Sequence, residues 1–341
     1  MCAITGMAGP YCFHRLWLFA SPPARSVPIG IECPAVSGVN VAMGYPLFLA
    51  VHRYQRLVYQ YNPERKSRVR ILITGGDGFI GRYVQSRAKE LGIDFDVFDI
   101  SSDITQDITN YGALSGGHGD YDAIIHLAGM LGTHELWDTA EDAIDVNIKG
   151  ALNVGRLALE HDAKLVSIEQ PHIWYNVYEA TKLAARRMLT GLHYDEGLRV
   201  DFVTAHNAFG PGQAHGPGHP QKIIPTFATK AWAGELIPIW GDGSQKVNLV
   251  YAGDVADMLI RRAIAEEETE PLRQYNAGTD RLLTVNDVAA NVWIRTGGDV
   301  ANLNLDMRRG EQDCDYPEPD ESYEYRLNWE TLDATIDSYK P

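Results

Sequence analysis

RVRILITGGDGFIGRYVQSRAKELG, residues 68–92, joins three unlike pieces in one run. Ile71, Leu72 and Ile73 form a short continuous apolar stretch, which reads as a buried strand. Thr74–Gly81 (TGGDGFIG) is a glycine turn, and the segment after it is an amphipathic helix. Gly75 permits the tight turn, Gly78 lets the backbone approach a pyrophosphate, and Gly81 lets the helix pack on the strand. The N-terminus of the helix then faces the phosphates. Asp99, 18 residues after Gly81, closes the next strand. A carboxylate there accepts hydrogen bonds from ribose hydroxyls and repels a 2′-phosphate, so the expected cofactor is NAD rather than NADP.

Working outward, further strands are read in DFDVFDI (94–100), DYDAIIHLAG (120–129), AKLVSI (163–168) and RVDFVTAHN (199–207). Helices are read between them at 141–161 and at 175–197, the latter closed by Gly197. Strands alternating with helices give an α/β fold, a Rossmann-type doubly wound parallel sheet. Past Asn207 the pattern loosens into Gly/Pro-rich loops with short strands and helices. The division expected is a Rossmann domain over 68–205 and a smaller C-terminal substrate-binding lobe over 206–341, with some segments returning to the sheet. Residues 1–67 show no sustained periodicity and are broken repeatedly by Gly, Pro and Ser, so a poorly structured extension is expected there.

The chain has 341 residues and a net charge of −15, with 45% hydrophobic and 22% charged residues, as in a globular protein. The acidity argues against nonspecific nucleic-acid binding. Six Arg/Lys against two Glu make residues 1–67 basic, so the acidity lies in the remainder. Of the four cysteines, Cys2, Cys12 and Cys33 lie in that first segment and Cys314 far from it, without metal-ligand spacing. This pattern fits a reducing cytoplasm and no disulfide framework. No apolar run reaches a membrane-spanning length, and RLWLFASPPA (15–24) lacks the charged start and full apolar core of a signal peptide. His206, His215 and His219 share a loop region but have no regular ligand spacing, and no metal is expected.

In its G-x-x-G-x-x-G spacing the chain resembles the extended short-chain dehydrogenase/reductase family, the sugar-nucleotide epimerase/dehydratase group, over residues 68–335. HLAG (126–129), HNAFGPGQ (206–213), GDGSQ (241–245), VYAGDVA (250–256) and YNAGTD (275–280) follow the family's landmarks in order. The resemblance implies a cofactor site made by Gly75, Gly78, Phe79, Ile80, Gly81, Asp99, Leu127, Ala128 and Gly129, with Asp107 and Ile108 at the adenine. Asp103, in the other DIT, is a rival for that place. It also implies that Asn147 steadies the active site and, with Tyr178, contacts the cofactor. The activity implied is an NAD-dependent epimerase or dehydratase of a nucleotide-linked sugar. A simple dehydrogenase/reductase and a catalytically silent NAD-binding protein stay open as alternatives, and a homodimer stays open as the assembly.

Tyr178 and Lys182 stand four apart on one helix and share a face. A cationic Lys stabilises a nearby phenolate, so the Tyr can take a proton from a sugar hydroxyl. The resemblance implies that Lys182 also holds the nicotinamide ribose. It further calls for a Ser or Thr about two residues past the preceding strand, a place that falls on Glu169. Ser167 lies 11 residues before Tyr178 and Glu169 nine before it, so the usual long loop is missing. Either Ser167 supplies the hydroxyl or Glu169 replaces it. His134, Glu135 and Trp174 are weaker candidates near the substrate. For the substrate phosphates, relatives place an Arg where this chain has Val247, beside Lys246. Arg308 resembles the family's second diphosphate arginine, and Asn207 and Lys222 lie where relatives contact substrate.

Overall fold

The computed structural model describes residues 69–116, 119–171, 174–216, 218–265, 272, 274–298, 301–311, 318 and 323–341. The expected extension over 1–67 and Cys314 lie outside them. Seven parallel strands make the central sheet: β1 (Arg70–Thr74), β2 (Asp94–Phe98), β3 (Ala123–His126), β4 (Lys164–Glu169), β5 (Val200–Ala205), β10 (Gln274–Thr279) and β13 (Tyr323–Tyr325). Their order is β13-β10-β5-β4-β3-β1-β2, so the chain runs out to β2 and then crosses back to the other side of β1. The strand ends diverge at that reversal, which is where open α/β sheets bind their ligands.

Alternation along the strands sorts the core. Ile71, Ile73, Ile125 and Val203 pack on one face against α1 (Phe79–Glu90) and α7 (Ala252–Ile264). Leu72, Ile124, Leu165 and Phe202 pack on the other, against α4 (Ala151–Glu160) and α5 (Val177–Glu196). Covering both faces explains why these strands read as apolar runs. Before α4 the chain makes short α2 (Tyr111–Ser115) and α3 (Ala140–Ile144), then a π-helical turn at Asp145–Gly150. α5 starts at Asn176, whose side chain accepts from the Glu179 backbone N–H, and ends at Gly197 with φ of 75°. Gly197 is the C-terminal glycine that the sequence marked, in the left-handed conformation that terminates helices.

The remaining elements build a second core. β6 (Asn207–Phe209) pairs with β9 (Leu249–Tyr251), β7 (Ile237–Trp240) with β12 (Asn302–Leu305), and β8 (Lys246–Val247) with β11 (Leu283–Thr284). Around them pack α6 (Ile223–Trp232), α8 (Val285–Thr296) and α9 (Trp329–Asp337). Val247 is buried in this cluster with Phe227, Ile239 and Leu249. The residue also borders the cavity described below, where its side chain brings no charge. Among the described residues, no helix is long and apolar enough to cross a membrane.

Candidate active site

A cavity of about 920 Å³ opens over the carboxyl ends of β1–β5 and reaches the second core. The glycine turn forms its floor at one end. Gly75 has φ of +73°, and a Cβ there would stand 2.5 Å from the Ala128 backbone nitrogen. A Cβ on Gly81 would stand 2.2 Å from the Gly76 carbonyl oxygen. β1, the turn and the β3 exit therefore touch through bare backbone. Gly78 precedes α1 without a side-chain cap, leaving the helix N-terminus open to a ligand.

Asp99 stands beside the turn. Its Oδ2 accepts from the Asp77 backbone N–H at 2.9 Å, and its Oδ1 accepts from the Ser101 N–H at 2.9 Å and hydroxyl at 2.7 Å. A carboxylate offers about four lone-pair sites, so this one is fixed in place with capacity to spare. Phe79, Ile80, Leu127, Ala128 and Gly129 join the wall, as do Asp107 and Ile108. Asp103, the rival, is exposed and binds Thr105 instead. A glycine cradle that a Cβ would fill, an open helix N-terminus and a fixed carboxylate in one wall fit a dinucleotide.

Asn147 does not line the cavity. From the π turn its Oδ1 accepts the Met130 N–H at 2.8 Å, and its Nδ2 donates to the Met130 carbonyl at 3.1 Å and to Thr181 Oγ1 at 2.9 Å. It ties the β3 exit to α5 and acts on the wall from behind.

Tyr178, Glu179 and Lys182 enter the wall from α5, and Trp174 from the loop before it. Glu179 Oε2 accepts the Trp174 N–H at 2.9 Å, which holds that short loop against the helix. Burial pushes the Tyr178 phenol up, and the Glu169 and Glu179 carboxylates push the same way. This differs from the expectation that Lys182 lowers it. The charge of Lys182, itself buried, acts on Glu169 and on His126. His126 is held down to about 3 by burial and that charge, and its Nδ1 lies 2.8 Å from Thr74 Oγ1.

The two candidates on β4 part company. Ser167 is 1% exposed, pairs in register between His126 and Phe202, and is not in the cavity wall. Glu169 is 3% exposed and is in the wall. Burial raises the Glu169 carboxyl, while Lys182, Arg186 and a hydrogen bond with Ser167 oppose that rise. β4 itself runs through Glu169, so the first residue past the strand is Gln170, which the sequence reading passed over. Gln170 and Pro171 also line the cavity.

At the far end Asn207, Lys222 and Arg308 line the cavity. Arg308 is ion-paired to the buried Glu311 and faces the Trp240 ring at 5.7 Å. Burial lowers the Lys222 ammonium; Glu135 opposes this and Arg308 adds to it. Both cations thus already face a carboxylate. His134 and Glu135 sit behind the wall, where Glu135 Oε1 accepts the Gln221 N–H at 3.3 Å and His134 faces Trp240. His206 lies in the wall, brought down to about 4 by burial. His219 also lines it, while His215 packs edge-on against Tyr339.

Comparison with known proteins identifies the family and the fold. The model of the NAD dependent epimerase/dehydratase family matches residues 71–169 and 171–278. The trifunctional UDP-glucose 4,6-dehydratase/UDP-4-keto-6-deoxy-D-glucose 3,5-epimerase/UDP-4-keto-L-rhamnose-reductase RHM2 of Arabidopsis thaliana is 26% identical over 324 residues. That match covers 79% of this chain but 47% of the plant protein, so the chain spans about half the length of that relative. The low-salt glycan biosynthesis protein Agl12 of Haloferax volcanii is 24% identical over 316 residues, covering 79% of this chain and 98% of its own. Among solved structures, the Thermus thermophilus UDP-glucose 4-epimerase complex with NAD superposes with a TM-score of 0.70 at 19% identity. It covers 80% of this chain and 99% of that one, which places the C-terminal lobe within the same fold. With its glycine cradle, its fixed Asp99 and a family match over more than half of its residues, this chain belongs to the NAD-dependent epimerase/dehydratase family.

Proposed function

We propose that the chain is an epimerase or dehydratase of a nucleotide-linked sugar, with Tyr178 as the acid/base. The observation that carries this reading is a single cavity whose wall holds the glycine turn, Tyr178 and Lys182 in its middle, and Lys222 and Arg308 at the far end. A sugar held between a cofactor and an anchored phosphate would lie against Tyr178. Relatives named for UDP-sugar chemistry support that substrate class.

NAD, when bound, supplies a reversible hydride acceptor. The residues of the chain do the rest. Tyr178 takes the proton from the hydroxyl being oxidised and returns it later. Its raised phenol must be brought down for this; burial is the largest obstacle, and the two nearby carboxylates add to it. Glu169 removes part of that obstacle by staying protonated, as its burial favours. A neutral Glu169 no longer repels the phenolate and keeps a proton to donate. Lys182 remains as the cation one helical turn away. Asn147 holds Met130 and Thr181, and so the spacing between the β3 exit and α5.

Tyr178→Phe should cost turnover of a UDP-sugar at least ~10²-fold, the usual scale for acid–base catalysis, while NAD still binds. Turnover assay with parallel NAD titration checks this, and an active Phe variant would move the chemistry to another group. Absorbance in the reduced-nicotinamide band separates the simple dehydrogenase alternative, which accumulates reduced cofactor, from an epimerase or dehydratase, which returns it.

A further inference from the structure

Asn176 is 3% exposed and caps α5, where its Oδ1 accepts the Glu179 backbone N–H at 2.9 Å. Its other amide atom reaches away from the helix. Nδ2 donates to the Gly310 carbonyl at 3.2 Å, 134 residues along the chain. Gly310 has φ of +79°, and a Cβ on it would stand 2.8 Å from Asn176 Cβ. The turn at 308–311 is therefore seated by bare backbone on the start of α5. It closes on itself through the Glu311 N–H, which donates to the Arg308 carbonyl at 3.1 Å. Arg309 adds a second attachment, its guanidinium 4.0 Å from the centre of the Trp137 ring. Arg308 and Glu311, at the two ends of the turn, enter the cavity wall, whereas Asn176 and Gly310 do not.

We propose that Asn176 is a positioning residue that holds the Arg308 turn in place from the same helix end that carries Tyr178. This rests on the nucleotide-sugar reading, in which Arg308 faces the substrate phosphates, and extends it to a residue that touches neither substrate nor cofactor. A helix cap at this place needs only an acceptor, and Ser or Asp serves as well as Asn. The donor Nδ2 is what sets asparagine apart, and its partner is Gly310. A guanidinium binds phosphate through a rigid fork, so a small shift of its turn breaks the bonds that the fork makes. One side chain thus sets the spacing between the anchored phosphate and the hydroxyl beside Tyr178, the spacing on which a reactive geometry depends.

Two substitutions separate the cap from the anchor. Asn176→Asp keeps the shape and the cap but turns the donor into an acceptor facing the Gly310 carbonyl. Asn176→Ser keeps the cap, adds no charge and ends one atom short of Nδ2. Each should bind UDP at least ~5-fold more weakly, the scale of one weakened charge-assisted bond, with NAD affinity unchanged. Arg308→Met should itself weaken UDP. Asn176→Ser added to Arg308→Met should then cost no further UDP affinity, because its effect runs through Arg308. Calorimetric titration with UDP and with NAD reads each protein. UDP affinity that stays at the wild-type level in both Asn176 variants overturns the proposal. So does an equal weakening of UDP and NAD, which marks general damage to the fold. So does a full further loss of UDP affinity when Asn176→Ser is added to Arg308→Met. A wild type that does not bind UDP, or an Arg308→Met variant that binds it as tightly as the wild type, sinks the placement of phosphates in the nucleotide-sugar reading itself, and this inference with it.

Discussion

Glu169 carries a testable consequence in a single side chain. Its carboxyl is raised above the ordinary 4.5 by burial. A folded-state pKa above the unfolded value means that the native protein holds the proton more tightly, so stability is lost as pH rises past about 4.5. Glu169→Gln mimics the protonated acid at every pH. It should raise the melting temperature at about pH 8 and leave it nearly unchanged at about pH 4, as followed by thermal unfolding across that range. A wild-type advantage at the higher pH would show that the ionised carboxylate is the favoured form. At this scale the sequence was legible where a spacing rule exists. Tyr178 and Lys182 are four apart, and both enter the wall. Gln170 was not legible, because the end of β4 is fixed by pairing of Ile168 and Glu169 with Val203 and Thr204, far along the chain. Local alternation cannot mark where such a ladder stops.

The helix before β4 shows the limit one level up. Its apolar pattern over 141–161 reads as one continuous helix, and the structure instead inserts a π turn at Asp145–Gly150. Turns of this kind recur at functional sites, because the extra residue re-aims a side chain. Here Asn147 is re-aimed at Met130 and Thr181 together, a target set by β3 and α5 and invisible to helical periodicity. Asn147→Ala would leave the backbone groups of Met130 and the Thr181 hydroxyl short of their partner. It should cost about 1–3 kcal/mol of stability and slow turnover while leaving Asp99 and the glycine turn intact. Chemical denaturation, a UDP-sugar assay and NAD titration together check this, and full activity at reduced stability would reduce Asn147 to a purely structural role.

On the scale of the whole molecule, all seven sheet strands lie between Arg70 and Tyr325. A chain begun at Ser67 should fold and bind NAD as the full chain does, by melting temperature and NAD titration. A large fall in either would place residues 1–67 in the core. The sequence conveyed the doubly wound half well, since buried parallel strands announce themselves as apolar runs. It conveyed the lobe poorly, because two- to four-residue strands such as β8 and β11 owe their existence to each other rather than to any local pattern.

The return of β10 and β13 to the sheet sets a timetable for synthesis. The glycine turn, Asp99, Glu169, Tyr178 and Lys182 all precede β5, so this part of the cavity wall leaves the ribosome first. The buried strand β5 then waits with one bare edge until β10 emerges from beyond the first part of the lobe. During that interval the nascent protein carries an unpaired apolar strand, the feature most prone to sticking to neighbours. NAD arriving early would brace the half-built sheet, whereas the end of the cavity lined by Arg308 is completed only later.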